Sequence, residues 1–272
     1  MIARIAVLGC MSVLWGASPW LPEPGKLSVT TFYTFDTFQD YHPGAKSGTL
    51  PDAYKQYTGY TFFEYGVRHD VSIDVETGYT ATSYLGNGLQ GVVDTTIGAR
   101  WQILSGESYV VTVRGAGIIS GSYPLTTTAN FSPGDKASGF LTSVLVGKNL
   151  PKGFFSFMET GYRIRGNPVP QDFFGNAGFG KSFRNFTVSS GYQTSRSING
   201  VDIGSPGFKP LLFPATKKIF GAMDFNGTYR MRSGMNVGFN YSKILHGRNV
   251  GVKDVFAVSF GFNLPGRLPH FR

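Results

Sequence analysis

Between Lys26 and Phe262 the sequence alternates apolar and polar residues in one segment after another. A period of two with one apolar face marks a half-buried β-strand. Val71, Ile73, Val75, Thr77 and Tyr79 share one face of such a segment, and Ser72, Asp74, Glu76, Gly78 and Thr80 share the other. The next sets Val93, Thr95, Ile97, Ala99 and Trp101 against Asp94, Thr96, Gly98, Arg100 and Gln102. Further on, Ile219, Gly221, Met223, Phe225 and Tyr229 oppose Ala222, Asp224, Asn226, Thr228 and Arg230. Met235, Val237, Phe239 and Tyr241 then oppose Asn236, Gly238, Asn240 and Ser242. The segment from Phe140 to Val146 is apolar on both faces, so the pattern leaves its orientation open.

The breaks between segments alternate between short and long. Short ones fall at Arg68-His69, 105–108, 150–153, Arg184-Asn185 and 232–234; long ones at 40–58, 84–91, 121–136, 166–171, 199–216 and 246–252. Eleven breaks separate about twelve strands. Short turns at one end and long loops at the other fit an up-and-down antiparallel β-barrel of the outer-membrane type. An even strand count puts both termini on the periplasmic side, with the short turns. A soluble sandwich also alternates, but three features favour the barrel. The strands are long for a sandwich. Their polar faces carry full charges, which a dry core rejects unless paired. Tyr33, Tyr65, Tyr79, Trp101, Tyr109, Tyr192 and Tyr229 sit on the apolar face, many near strand ends, as an interfacial girdle does. The last strand aligns Phe256, Val258, Phe260 and Phe262, like the C-terminal assembly signal of such barrels, although Leu264 to Arg272 follow as a short tail (263–272).

Composition agrees. Charged residues make up 15% of the chain, against about 25% in ordinary soluble domains. Aromatics reach 15% and glycines number 37. Mean hydropathy is nonetheless −0.06. Past the N-terminus no apolar run approaches the roughly 18 residues of a spanning helix. Residues 1–18 carry Arg4, the apolar stretch Ile5–Trp15 and the small residues Gly16-Ala17-Ser18, a short secretory leader. The barrel then occupies 19–272. Cys10 follows Val7-Leu8-Gly9, yet the apolar run before it is short for a lipoprotein leader. With the leader gone no cysteine remains and disulfides are excluded.

The net charge of +9 is not a nucleic-acid signature, because no basic helix or binding motif accompanies it. Lys136, Lys209, Lys217, Lys218, Arg248 and Lys253 fall near the outer rim, where phosphorylated lipid headgroups such as those of lipopolysaccharide are natural partners; plain solvation of the loops is an equal reading. The lumen is more specific. Glu64, Arg68, Asp74, Glu76, Asp94, Arg100, Arg114, Glu159, Arg163, Arg165, Asp224 and Arg230 have inward parity. Glu64, Asp74, Arg100, Arg114 and Glu159 each lie a few residues from a periplasmic turn, which predicts a charged belt well inside the barrel. Either acids and bases pair across strands and fill a narrow lumen, or the belt selects solutes by charge and size. Arg163 and Arg165, higher on one strand, favour an anionic or polar solute.

Enzyme chemistry is not indicated. His42, His69, His246 and His270 fall in loops, turns or the tail, and none has a serine two residues on. Metal spacings, phosphate loops and Cys/His dyads are absent, so no cofactor and no metal is expected. Gly175 to Gly180 read as strand glycines that admit bulky neighbours or let the wall curve.

Three stretches carry a family likeness: Trp20-Leu21-Pro22-Glu23-Pro24-Gly25 before the first strand, Glu64-Tyr65-Gly66-Val67-Arg68-His69-Asp70, and Glu159-Thr160-Gly161-Tyr162-Arg163-Ile164-Arg165. The chain resembles small Gram-negative outer-membrane barrels of the transporter-like type, the phenol-degradation meta-pathway and XagA-like proteins. The resemblance implies a barrel delivered by the assembly machinery and a transport role of unspecified substrate. The expectation is therefore a twelve-stranded channel for a small solute, with Glu64, Asp74, Glu76, Arg100, Arg114, Glu159, Arg163, Arg165, Asp224 and Arg230 as its constriction. The alternative is a non-conducting structural or surface barrel whose working parts are the loops 39–58 and 199–215.

Overall fold

The computed structural model describes residues 18–124, 134–166, 168–209 and 215–265. Of the expected leader only Ser18 lies among them, and of the expected tail only 263–265. The described residues form β1 (Lys26–His42), β2 (Gly48–Arg68), β3 (Val71–Tyr84), β4 (Asn87–Val92), β5 (Thr95–Ser105), β6 (Tyr109–Ile119) and β7 (Gly139–Asn149). They continue with β8 (Phe154–Arg165), β9 (Asp172–Ser182), β10 (Phe186–Ser197), β11 (Ile219–Arg230), β12 (Asn236–Arg248), β13 (Val250–Gly251) and β14 (Asp254–Pro265).

Apart from β4 and β13, which pair only with β3 and β1, the strands pair antiparallel in chain order, and β1 pairs with β14 from Lys26↔Pro265 to Thr37↔Asp254. That last ladder closes the sheet. β4 and β5 are two stretches of one staircase against β3, and β13 and β14 are two stretches against β1, so the wall is a closed barrel of twelve strands. Closure leaves no backbone edge facing lipid, which is what a membrane demands of a sheet.

The outer face is apolar. Tyr33, Ile73, Tyr79, Ile97, Trp101, Phe173, Phe179, Phe225 and Phe239 are all at least half exposed, and Phe256, Val258, Phe260 and Phe262 stand out together from β14. The strand with two apolar faces is now oriented. Leu141, Ser143 and Leu145 of β7 point inward and are buried, while Phe140 and Val144 face out. One expected alternation fails. Val93, read as outward, is buried and lines the lumen beside Asp94. The chain leaves the ladder at these two residues between β4 and β5, so the parity of Val93 is reset.

The periplasmic breaks are short, as expected. Three of the six outer breaks are not long. The expected loop 40–58 is a turn at 43–47, because β1 and β2 continue to pair as far as Tyr41↔Gly48. Their register jumps from Phe38↔Tyr54 to Asp40↔Thr49, and Pro51 sits in that bulge, where its missing N–H costs no ladder bond. The break 84–91 is a two-residue turn, with Leu85 at φ 49° and Gly86 at φ 74°, the doubly positive geometry that matches strand twist. The break 246–252 reduces to Asn249 and a slip at 252–253. Polar, glycine-rich strands standing above the membrane imitate loops in a sequence. Among the described residues, 120–124, 134–138, 168–171, 198–209 and 215–218 lie outside the named strands, so these breaks are true loops.

Glycine spacing on β9 matches its expected role. Gly178 faces the Phe157 ring and Gly180 the Phe155 ring, and a β-carbon at either position would collide with its ring. The strand yields space to the aromatic side chains of β8.

Candidate functional site

A belt of buried charge crosses the lumen about five residues above the periplasmic turns. Asp74 of β3 is its centre. Its Oδ2 accepts from Arg100 Nε at 3.2 Å, and its Oδ1 accepts from Arg114 Nη2 at 2.5 Å. Arg100 of β5 also reaches Glu64 Oε1 of β2 at 3.2 Å, and Ser72 Oγ donates to the same oxygen at 2.7 Å. Glu159 of β8 accepts from Ser143 Oγ at 2.7 Å. Gly98 clears the space: a β-carbon there would lie 3.1 Å from both carboxylate oxygens of Asp74. Arg100 and Asp74 are about 1% exposed. Buried pairs of this kind need all their partners, because losing one strands a charge in a low-dielectric interior.

The belt is also the socket of the segment that precedes β1. Arg100 Nη1 donates to the Ser18 carbonyl at 3.2 Å, and Thr112 Oγ1 to the Pro19 carbonyl at 2.8 Å. The Trp20 ring meets Phe155 edge-on at 6.2 Å between centroids. Gly147 makes room for Pro19 and Trp20, whose nearest atoms would lie 2.8 Å from a β-carbon there. Gly25 N–H closes the segment onto the Gly66 carbonyl at 2.8 Å. The segment Trp20–Gly25, read from sequence only as a family signature, narrows the periplasmic end of the barrel.

A second cluster lies toward the outside. Arg163 Nη2 and Arg165 Nη2 of β8 donate to Asp172 of β9 at 3.2 and 2.6 Å, and Ser195 Oγ adds a third bond at 3.0 Å. Arg165 and Lys218 both pair with Asp135. The two arginines expected to attract an anion are therefore neutralised by Asp172 and Asp135. Sequence reasoning missed both acids: Asp135 stands in a loop, and Asp172 opens β9 beside another. The parity that Asp172 shares with Phe174 and Asn176 was the available signal.

The loop 120–138 folds inward at both described ends. Asp94 Oδ1 accepts from Gly121 N–H at 2.8 Å and from Tyr123 Oη at 3.0 Å, and Tyr123 Oη accepts from Lys136 N–H at 2.6 Å. Lys253, expected at the rim, lines the lumen 3.6 Å from Asp36. Arg248 pairs with Asp202. Three of the six expected headgroup-binding cations are thus engaged with carboxylates of the chain itself.

The remaining expected residues divide. Glu76 and Asp224 face inward, with Gln193 donating to Asp224. Arg68 stays at its turn with Asp70 at 3.1 Å, and Arg230 is exposed at the periplasmic end of β11, apart from the belt. Between belt and outer loops lies a cavity of about 460 Å³. Its wall holds Phe32, Tyr60, Phe62, Phe174 and Phe220 beside the charges. Among the described residues no cluster of His, Cys, Asp and Glu is arranged to hold a metal. His246 Nε2 lies 2.9 Å from Tyr192 Oη on the outer surface.

No protein-family model matches the chain, and no curated protein matches it in sequence. Solved structures do match in fold. An outer membrane channel from Pseudomonas putida F1 superposes with a TM-score of 0.75 at 8% identity, covering 92% of this chain and 100% of the channel. The NanC porin gives 0.54 at 10% identity over 88% of this chain and 100% of its own. The translocator domain of the autotransporter NalP from Neisseria meningitidis gives 0.52 at 14% identity, over 89% and 90%. The chain has the fold of bacterial outer-membrane channels and porins.

Proposed function

We infer that the protein is a porin-like channel of the bacterial outer membrane that lets a small solute pass passively. The observation that carries this reading is the 460 Å³ cavity enclosed by the barrel wall above a charged belt. Charged groups fixed around a narrow path select by size and sign. The belt residues Glu64, Asp74, Arg100, Arg114 and Glu159 set the narrow level; Glu76, Arg163 and Arg165 line the way to it, and Asp224 holds the lining Gln193. Residues 1–18 serve as the leader, the β14 face addresses the assembly machinery, and the exposed Lys136 and Lys209 remain for lipopolysaccharide. The stretches Trp20–Gly25, Glu64–Asp70 and Glu159–Arg165 support a likeness to the phenol-degradation meta-pathway and XagA-like barrels.

The test is single-channel recording of the refolded chain in a planar bilayer. Stable steps are expected, and Arg114→Gln or Arg163→Gln should move the reversal potential. A folded barrel that stays silent overturns the reading. That outcome would favour a non-conducting barrel, a reading that the burial of Pro19 against the belt supports.

A further inference from the structure

Among the described residues, Glu76 is a lumen carboxylate that takes part in neither an ion pair nor a hydrogen bond, whereas Asp94, Glu159 and Asp224 have hydrogen-bond donors. Its neighbours Asp74 on β3, Glu64 on β2 and Asp94, just before β5, all have donors. Among the described residues no cation lies within ion-pairing distance of Glu76, although its side chain lines the cavity. It lies directly across from Phe62 of β2 in the strand register. Two residues along, Gly78 lies across from Tyr60, and a β-carbon there would sit 3.1 Å from the Tyr60 ring. The missing side chain lets that ring lie down on β3 next to Glu76. Phe32 of β1 is the strand partner of Tyr60, so three rings continue one another along the wall up to the carboxylate. Seven carboxylates and five cationic side chains line the whole cavity, so its surplus is acidic in a chain whose net charge is +9.

We propose that this wall is a binding site for a small organic cation with a flat apolar body, its ammonium at Glu76 and its body along Phe32, Tyr60 and Phe62. An ammonium satisfies the leftover carboxylate by a charge-assisted bond, and rings beside it supply area and cation–π attraction. An anion of the same shape would meet Glu76 head-on and find Arg163, Arg165 and Lys218 already occupied. The choice of solute rests on the channel reading above; the site itself does not.

Calorimetry on the refolded barrel in detergent tests this with benzylammonium, benzyl alcohol and benzoate as probes. Benzylammonium should bind best, and Glu76→Gln should weaken it about tenfold, to near the alcohol. Phe32→Leu should weaken benzylammonium and benzyl alcohol alike. Equal binding of all three probes, a preference for benzoate, or full affinity in Glu76→Gln overturns the site. Conductance is scored separately. A barrel that binds benzylammonium but never conducts leaves the site standing and removes the channel. One that conducts but binds no cation preferentially does the reverse.

Discussion

Asp74 shows how much of the lumen depends on one side chain. Two buried arginines converge on it. Asp74→Asn would leave Arg114 without its carboxylate and Arg100 with Glu64 alone in a place water hardly reaches, so it should cost about 3–5 kcal/mol, the usual loss when one partner of a buried pair is removed. Glu64→Gln keeps its oxygen for Ser72 and leaves Arg100 with Asp74, so it should cost only about 1 kcal/mol. Urea unfolding of the two variants in detergent reads the ordering, and equal midpoints would refute it. At the outer end the single residue that matters is Asn249. It has φ 54°, a conformation asparagine tolerates better than most residues. Its Oδ1 accepts from Gly44 N–H at 2.7 Å and Ile203 N–H at 3.0 Å, and its Nδ2 donates to Lys217 O at 2.6 Å and Asp202 Oδ1 at 2.9 Å. Asp202 in turn holds Arg248, whose hydrogen bonds keep its carboxyl at about 2, below the ordinary 3.8. A depressed carboxylate pKa gives stability that is complete above the unfolded value and lost as pH falls through the folded one. The loop residues around Asp202 and Ile203 should therefore stay docked from neutral pH down to about 4 and loosen below it. Limited proteolysis at graded pH checks this, and Asp202→Asn should abolish the acid step.

Among the elements, the segment before β1 has the largest consequence for passage. With the leader removed it is held by the Pro19 carbonyl, a buried proline and an edge-on tryptophan rather than by a ladder. Contacts so few and so local sit at the low-stability end of a structure. Deleting Pro19–Glu23 should raise unitary conductance, and Gly66→Ala should do so more gently, since its new methyl would meet the Pro22 carbonyl at 2.8 Å. Unchanged conductance in both would show that the segment does not narrow the path. The sequence hid this element because its prolines and tryptophan follow directly on an apolar leader and have no period. Strands with one lipid face and one lumen face were legible, since the membrane enforces strict alternation; β3, β5 and β12 read correctly almost residue by residue. Outer turn lengths were not legible. Above the bilayer nothing penalises polar residues on either face, so the upper parts of β1 to β4 look like loops. The belt was legible because Glu64, Asp74, Arg100 and Arg114 share parity and depth. The acids of the outer cluster, Asp135 and Asp172, lie where parity is undefined or only beginning.

At the scale of the whole molecule, charge and closure divide the work. The basic surplus of the chain lies on rims and turns, at Arg184, Lys209 and Arg230 for instance, while the lumen wall carries more acid than base. Net charge therefore describes the barrel's surroundings and not its interior. Closure is what makes that separation possible, and β14 carries it. Twelve residue pairs join β14 to β1 and eight join it to β12. Removing residues 254–265 would open both ladders to hydrocarbon, where each unpaired backbone group costs several kcal/mol. No rearrangement within eleven remaining strands restores that loss without shifting β1 along β12, and the belt would then lose its level. The truncated chain should accordingly give no compact, fast-migrating band in unheated detergent gels. Phe262→Ala, which removes one lipid-facing ring and no ladder bond, should give the band in nearly full amount. A compact band from the truncated chain would show that the wall closes without β14.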